Sequence, residues 1–331
     1  MWPWGASIAF SVLLIVASVL AGPASNAGSY RVLECLSGAV TGAGGGDCEI
    51  VNQIVFEVRL PRILLAFLVG AALGVSGSAF QALLKNPLVS PDILGLSSGA
   101  AFAAACAVLI PALPVQPAAF AGGLLAVSLS YFIARSRGGV SQLALLLSGV
   151  IVSGVFTALL SLVQYAADPF KLGTIVHWTM GNLHTADWHK LYSSMAGALP
   201  GIAVLLLMRW RLNVLSLGDD EARSSGVNVA RERIYILLPA ALAASSVVAV
   251  AGVIPLLALI VPHMARLIAG CDNRRVLPAS LLLGGILMLL IDDITRTILD
   301  SELPVGVFTM IISAPVFIYL FKTRRLFFSS E

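Results

Sequence analysis

Charge is what this 331-residue chain lacks. Asp, Glu, Lys and Arg make up 11% of it, while 58% is hydrophobic. A soluble domain carries roughly 25% charged residues. A surface so poor in charge is bounded by lipid rather than by water, and the mean hydropathy of +0.95 agrees. Cysteine is scarce as well. Cys35, Cys48, Cys106 and Cys271 show no zinc-type spacing and are too few for a disulfide scaffold. No G-x-x-x-x-G-K-[ST] occurs, so the chain has no P-loop with which to bind a nucleotide. No nucleophile–base arrangement and no nucleic-acid signature is present. The expectation is a protein that is not an enzyme, holds no cofactor or metal, and does not bind nucleic acid.

What the chain does have is long apolar runs. A hydrocarbon core of about 30 Å needs a helix of about 20 residues. In lipid, only helices and closed barrels satisfy their own backbone. The runs are continuous rather than alternating, which selects helices. The spans expected are 7–22, 60–84, 93–111, 117–134, 141–165, 191–208, 234–251, 253–269, 276–297 and 305–321. This predicts an all-α, polytopic protein of about ten transmembrane helices, with residues 1–331 forming one transmembrane domain. Small residues, AGPASNA, follow the first run as they would follow a signal peptide. Met1–Gly5 carries no Lys or Arg, so the run is read as a retained span.

Lys and Arg set the orientation. With the N-terminus inside, the inner loops hold most of the 20 basic residues, and only Arg31, Arg59, Arg62, Lys171, Lys190 and Arg296 fall outside. Both termini are therefore expected in the cytoplasm. Two outer segments are long, 23–58 and 166–190. The first holds Cys35 and Cys48 on the oxidising side, where a disulfide between them is open to formation.

Spans two to six contain no ionisable residue between their ends. A charge at the bilayer centre costs about 2.5–3.5 kcal/mol on insertion scales and marks ion or proton routes. Their absence argues against an ion-driven carrier, the rival from another class. In span two, Gly70, Gly74 and Gly77 form a small-residue stripe that permits close helix approach. Asn86-Pro87 ends this span at the inner face, and the turn around Asn86 and Leu88 is a candidate inner gate. Arg59 and Arg62 flank Pro61 outside, and Arg296 closes span nine there. Either they snorkel, with Arg296 paired i,i+4 to Asp292, or they form a cationic rim for an external partner. In the outer segment, His177, His184 and His189 sit near Met180. Solvation accounts for them, but His and Met also ligate haem iron. His263 is expected as an interface or capping residue.

One polar insert interrupts the apolar sequence. Gly218–Arg233 reads GDDEARSSGVNVARER and lies inside on the charge count. A compact charged loop in such a chain is a grip for a soluble protein.

Taken together, RLPRILLAFLVGAALGVSGSAFQALLKNPLVSPDILGLSSGA (59–100), WTMGNLHTADW (178–188), LGDDEARSSGV (217–227), AGVIPLLALIVPHMARLI (251–268) and ELPVGVFTMIISAPVFIYLF (302–321) resemble the FecCD-type permeases of ATP-driven importers for ferric siderophores, haem and cobalamin. The resemblance covers the chain from span two onward. It implies ten helices per subunit and a homodimer with the pathway on its two-fold axis. It also implies two cytoplasmic ATP-binding subunits and one external substrate-binding protein, in the inner membrane. Arg59, Arg62 and Arg296 match the places that dock the binding protein. The loop at about 216–231 matches the coupling loop, with Gly218, Asp219, Asp220, Glu221, Ala222, Arg223 and Gly226. Its Glu-Ala to Gly spacing is one residue shorter than the general importer pattern. Asn86, Leu88, Ser141 and Gln142 match the inner gate, and the fifth and tenth helices match the pathway wall. The resemblance implies import of an iron chelate, haem ahead of a ferric siderophore on the strength of His177, Met180, His184 and His189. Cobalamin and oxyanions such as molybdate are the alternatives within the family.

Overall fold

Each expected span contains a helix in the structure, a computed structural model that describes residues 4–20, 32, 35, 46–136, 139–217, 219–224, 226–297 and 303–323. The spans are α1 (Trp4–Leu20), α3 (Leu60–Leu83), α4 (Leu96–Leu109), α5 (Val115–Ala134), α6 (Gln142–Ala166), α8 (Trp188–Leu217), α10 (Val229–Ala251), α11 (Leu257–Ala269), α12 (Asn273–Thr297) and α13 (Val305–Thr323). Six described helices are long and apolar enough to cross a membrane, and four more are apolar but shorter. The short ones begin or end at breaks written in the sequence. Leu96 follows Gly95, at φ +82°, and α11 stops at Gly270, at φ +79°.

Three elements depart from the ten-run reading. Gly46–Gln53 is a helix (α2) that runs through a π-helical stretch, Ile54–Arg59, into α3. Pro169–Thr179 is a helix (α7) inside the outer segment. Its start is encoded: Asp168 caps it by accepting hydrogen bonds from Phe170 N and Lys171 N, and Pro169 takes the first position, where no N–H is needed. The all-α expectation holds, with one short ribbon beside the helices. Residues Arg135–Ser136 (β1) and Gly139–Val140 (β2) pair antiparallel as a two-residue ribbon leading into α6.

The bundle is organised around α3, which packs on α12, α10, α8 and α11. Apolar surface alone does not drive helices together in lipid; close backbone approach and interhelical hydrogen bonds do. The glycine stripe supplies the approach. A Cβ on Gly70 would lie 2.0 Å from Gly284 O, and one on Gly77 would lie 1.9 Å from Ala258 O. Serines beside the stripe supply the bonds. Ser76 Oγ donates to Ala240 O at 2.9 Å, and Ser78 Oγ to Ser280 Oγ at 2.7 Å. Gln81 Nε2 donates to Leu259 O at 3.2 Å. A second layer, α4, α5 and α6, packs on this frame through α10.

Candidate functional site

Among the described residues, the sites expected from the sequence lie at the two ends of the bundle. At the inner end, Asp219–Ser224 forms a short helix, α9, between α8 and α10. Ala222 is fully buried, while Glu221 and Gly226 are exposed. Val227 N donates to Ala222 O at 3.0 Å, closing the helix, and the reversal needs φ +77° at Gly226. Only glycine takes that conformation at little cost. Gly218 lies outside the described residues, as do the side chains of Asp219, Asp220 and Arg223.

The flanks of this loop are tied down. Asn228 caps α10, accepting from Arg231 N at 3.2 Å. Arg211 on α8 pairs with Glu232 on α10, so the helices before and after the loop are joined. Arg233 is buried and donates to Val140 O of the ribbon. Asn213 Nδ2 donates to Asp272 Oδ1 at 2.6 Å, joining α8 to the start of α12. This bond and that from Arg274 N hold the Asp272 carboxyl below its ordinary range.

The expected gate residues fall in two places. Asn86 Oδ1 accepts from Leu88 N at 2.9 Å, which makes a tight polar turn and leaves Leu88 45% exposed. Ser141 caps α6, its hydroxyl accepting from Ala144 N at 3.0 Å, and Gln142 is the first helical residue. The Asn86 turn is followed by a 3-10 turn, Pro91–Leu94, built on Asp92, which accepts from Ser97 and Ser90. Burial pushes the Asp92 carboxyl up, against the pull of those two hydroxyls.

At the outer end, Arg59, Arg62 and Arg296 come together, but inside the protein. They are 6%, 7% and 5% exposed and form a buried cluster within the single subunit. The expected Arg296–Asp292 pair is corrected. Asp292 turns inward to Arg62 on α3, with Nε at 3.1 Å and Nη2 at 2.9 Å from its carboxylate oxygens. Arg296 takes Asp293, three residues back, instead. A charge buried in apolar surroundings needs a partner with fixed geometry, and the bidentate Arg62 is that partner. The cluster also holds α1. Arg296 Nη2 donates to Ser18 O at 2.6 Å and Arg59 Nη1 to Val19 O at 3.1 Å, which satisfies carbonyls left open at the end of α1. Cys35 and Cys48 are disulfide-bonded, and the pair packs with Val32, Val51 and Val55 against Val19 and Leu20.

A cavity of about 600 Å³ lies beneath α7, at the outer ends of α5 and α10. His177, His184, Asn182, Lys190, Trp178 and Gln116 are among its lining residues. The rings of His177 and His184 meet edge-on, with centroids 4.9 Å apart. Asn182 Nδ2 lies 3.3 Å from His177 Nδ1. The structure thus brings together two of the four expected contact residues. Met180 and His189 do not line the cavity; both are exposed elsewhere on the outer segment. No group of three or more His, Cys, Asp or Glu suited to a metal ion occurs among the described residues. His263, at the other end of the bundle, faces Phe317 of α13 edge-on at 6.0 Å, in keeping with an interface residue.

Comparison with known proteins settles the class. Residues 10–323 match the family model described as the FecCD transport family. This chain belongs to the FecCD transport family. The molybdate import system permease protein MolB of Haemophilus influenzae is 37% identical over 325 residues, covering 95% of each chain. The hemin transport system permease protein HmuU of Yersinia pestis is 38% identical over 326 residues, also covering 95% of each. A solved ABC transporter in an inward-facing conformation superposes with a TM-score of 0.85 at 33% identity, covering 96% of this chain and 98% of the other. As a FecCD permease, the chain is the multi-pass membrane subunit of an ABC importer. ATP hydrolysis belongs to a separate subunit, and a substrate-binding protein completes the system.

Three residues at the two ends have partners that the sequence does not reveal: Asp292, Glu232 and Arg233. Asp292 was assigned to its helical neighbour. Glu232 and Arg233 were seen only as charges of the insert. The last two sit in the first turns of α10, just after the Asn228 cap, which marks their place at the helix start but not the groups they meet.

Proposed function

We propose that this permease works as a two-fold pair, with two cytoplasmic ATPase subunits and one external binding protein, and imports an iron chelate by alternating access. Both termini lie in the cytoplasm on this reading, in accord with the placement of most Lys and Arg in the inner loops. The observation that carries it is α9, a short helix seated by a buried Ala222 in a chain with no nucleotide-binding loop of its own. Gly218 to Gly226 is the grip. Closure of the ATPases on ATP moves it, and the turn at Asn86 and Leu88 together with Ser141 and Gln142 opens or narrows the inner mouth. The wall, which includes α6 and α13, binds substrate weakly in both states. A ligand shifts such an equilibrium only by its differential affinity, so tight binding belongs to the external protein.

The binding protein docks over the outer end, where Arg59, Arg62 and Arg296 cluster. Because they are buried, its carboxylates reach them only when the cover formed with the end of α1 shifts. Haem is the favoured cargo: His177 and His184 line the outer cavity, and one relative is named for hemin. The relatives named for molybdate and cobalamin keep those two as alternatives.

The test is uptake into proteoliposomes that hold the permease and its ATPase, with the binding protein added outside. Hemin, a ferric hydroxamate, cobalamin and molybdate are offered in turn. ATP-dependent accumulation of hemin, lowered at least tenfold by His177→Ala with His184→Ala, is expected. Accumulation of molybdate or cobalamin alone overturns the iron-chelate reading, and accumulation that needs no ATPase overturns the mechanism.

A further inference from the structure

Arg233 stands at a junction between two parts of the inner face that the sequence keeps far apart. It lies on the first turns of α10, directly after the coupling loop, and it is 7% exposed. Its guanidinium donates to Val140 O. Val140 ends the ribbon, and the next residue is Ser141, the cap of α6. Its neighbour Glu232 holds Arg211 of α8, so the two helices that bracket the coupling loop move together at this point. Along α10, residues 232 and 233 divide the work. One closes the loop into a unit, and the other reaches outside that unit to the chain entering α6.

We propose that Arg233 is the positioning residue that transmits displacement of the coupling loop to the start of α6, and so to Ser141 and Gln142. The inference rests on the coupling and gating reading above. Three features of the contact suit the task. The arginine is always charged, so the link does not depend on pH. Its acceptor is a main-chain carbonyl, which moves with the ribbon rather than rotating on a side chain. The ribbon is only two residue pairs deep, so a pull at Val140 is delivered to Ser141 instead of being spread through a sheet.

The experiment uses the full importer in proteoliposomes, with Cys106→Ser and Cys271→Ser to remove the native free thiols, Ser141→Cys as the reporter, and a water-soluble maleimide as the probe. In the otherwise unchanged permease, ATP is expected to change the labelling rate at least threefold. A permease that shows no such change overturns the coupling and gating reading itself. Given that response, Arg233→Ala is expected to keep binding-protein-stimulated ATP hydrolysis within twofold, to lower uptake at least tenfold, and to make labelling insensitive to ATP. Arg233→Lys, which keeps one donor and the charge, is expected to restore part of the response. Where Arg233→Ala does not yield folded protein, the same readings on Arg233→Gln decide. A labelling response that survives the loss of Arg233, or hydrolysis and uptake that fall together, overturns the transmission role.

Discussion

Helices α3 and α6 are near equals in hydropathy and opposites in structure. The apolar window that includes α3 has mean hydropathy 2.1 and is 89% buried; that of α6 has 2.4 and is 28% buried. Hydropathy thus tells that a segment tolerates lipid, and nothing of what it faces. Small residues make the difference. On α3, Gly70, Gly74 and Gly77 sit against backbone of α11 and α12, and serines beside them bond across. On α6, Gly154 has nothing within 4 Å of where its Cβ would be. Leu143, Leu147, Val150, Ile151 and Val155 make an exposed stripe at helical spacing. One helix is the frame. The other is the surface left for lipid, the pathway or a second copy.

The strongest way to break this contrast is to remove the ion pair that fixes the outer end of α3. Asp292→Ala removes the bidentate carboxylate from buried Arg62 and is expected to cost about 3–5 kcal/mol. Leu147→Ala on α6 is expected to cost far less. Thermal unfolding of the purified protein in detergent reads both. Replacing the pair by Arg62→Met with Asp292→Leu is expected to recover most of the loss, because no buried charge then lacks its carboxylate.

Next is the glycine contrast. Gly70→Ala drives a methyl into Gly284 O and is expected to cost about 3 kcal/mol, since backbone gives way poorly. Gly154→Ala is expected to change stability by less than about 1 kcal/mol, in the stabilising direction. Equal effects would mean that α3 is not the tighter helix. Smaller still is Ser78→Ala, expected to cost about 0.6 kcal/mol, the average for an interhelical bond in a membrane protein. The smallest effect is one of pH at the inner clasp. The Asp272 carboxyl is held below its ordinary value in the folded protein, so its contribution is present above the unfolded value. It fades as pH falls through the folded value. Unfolding followed between pH 7 and pH 3 is expected to show less acid loss in Asp272→Asn than in the parent.

The sequence made the frame legible because its rules are local. Glycine spacing, apolar length and the Asn86-Pro87 stop each act within one helix. The cysteine pair stayed open in the sequence: both members lie in one outer segment, but nothing local fixes their distance. The α7 helix lies outside the apolar runs because it is only 11 residues long, although Asp168-Pro169 announces a cap and a first turn. The Arg62–Asp292 pair joins residues 230 apart in sequence, and nothing local distinguishes Asp292 from Asp293 as the partner of Arg296. Arg233 was hidden for the same reason: its partner is a carbonyl in a two-residue ribbon, and a main-chain acceptor leaves no mark in sequence.

The account turns on force entering through the loop at 218–226. The most direct test is Glu221→Ala with Arg223→Ala in proteoliposomes that contain the permease and its ATPase, with the binding protein outside. Uptake and binding-protein-stimulated ATP hydrolysis are both expected to fall at least tenfold while the bundle keeps its thermal stability. Uptake and hydrolysis at the unaltered rates would contradict it.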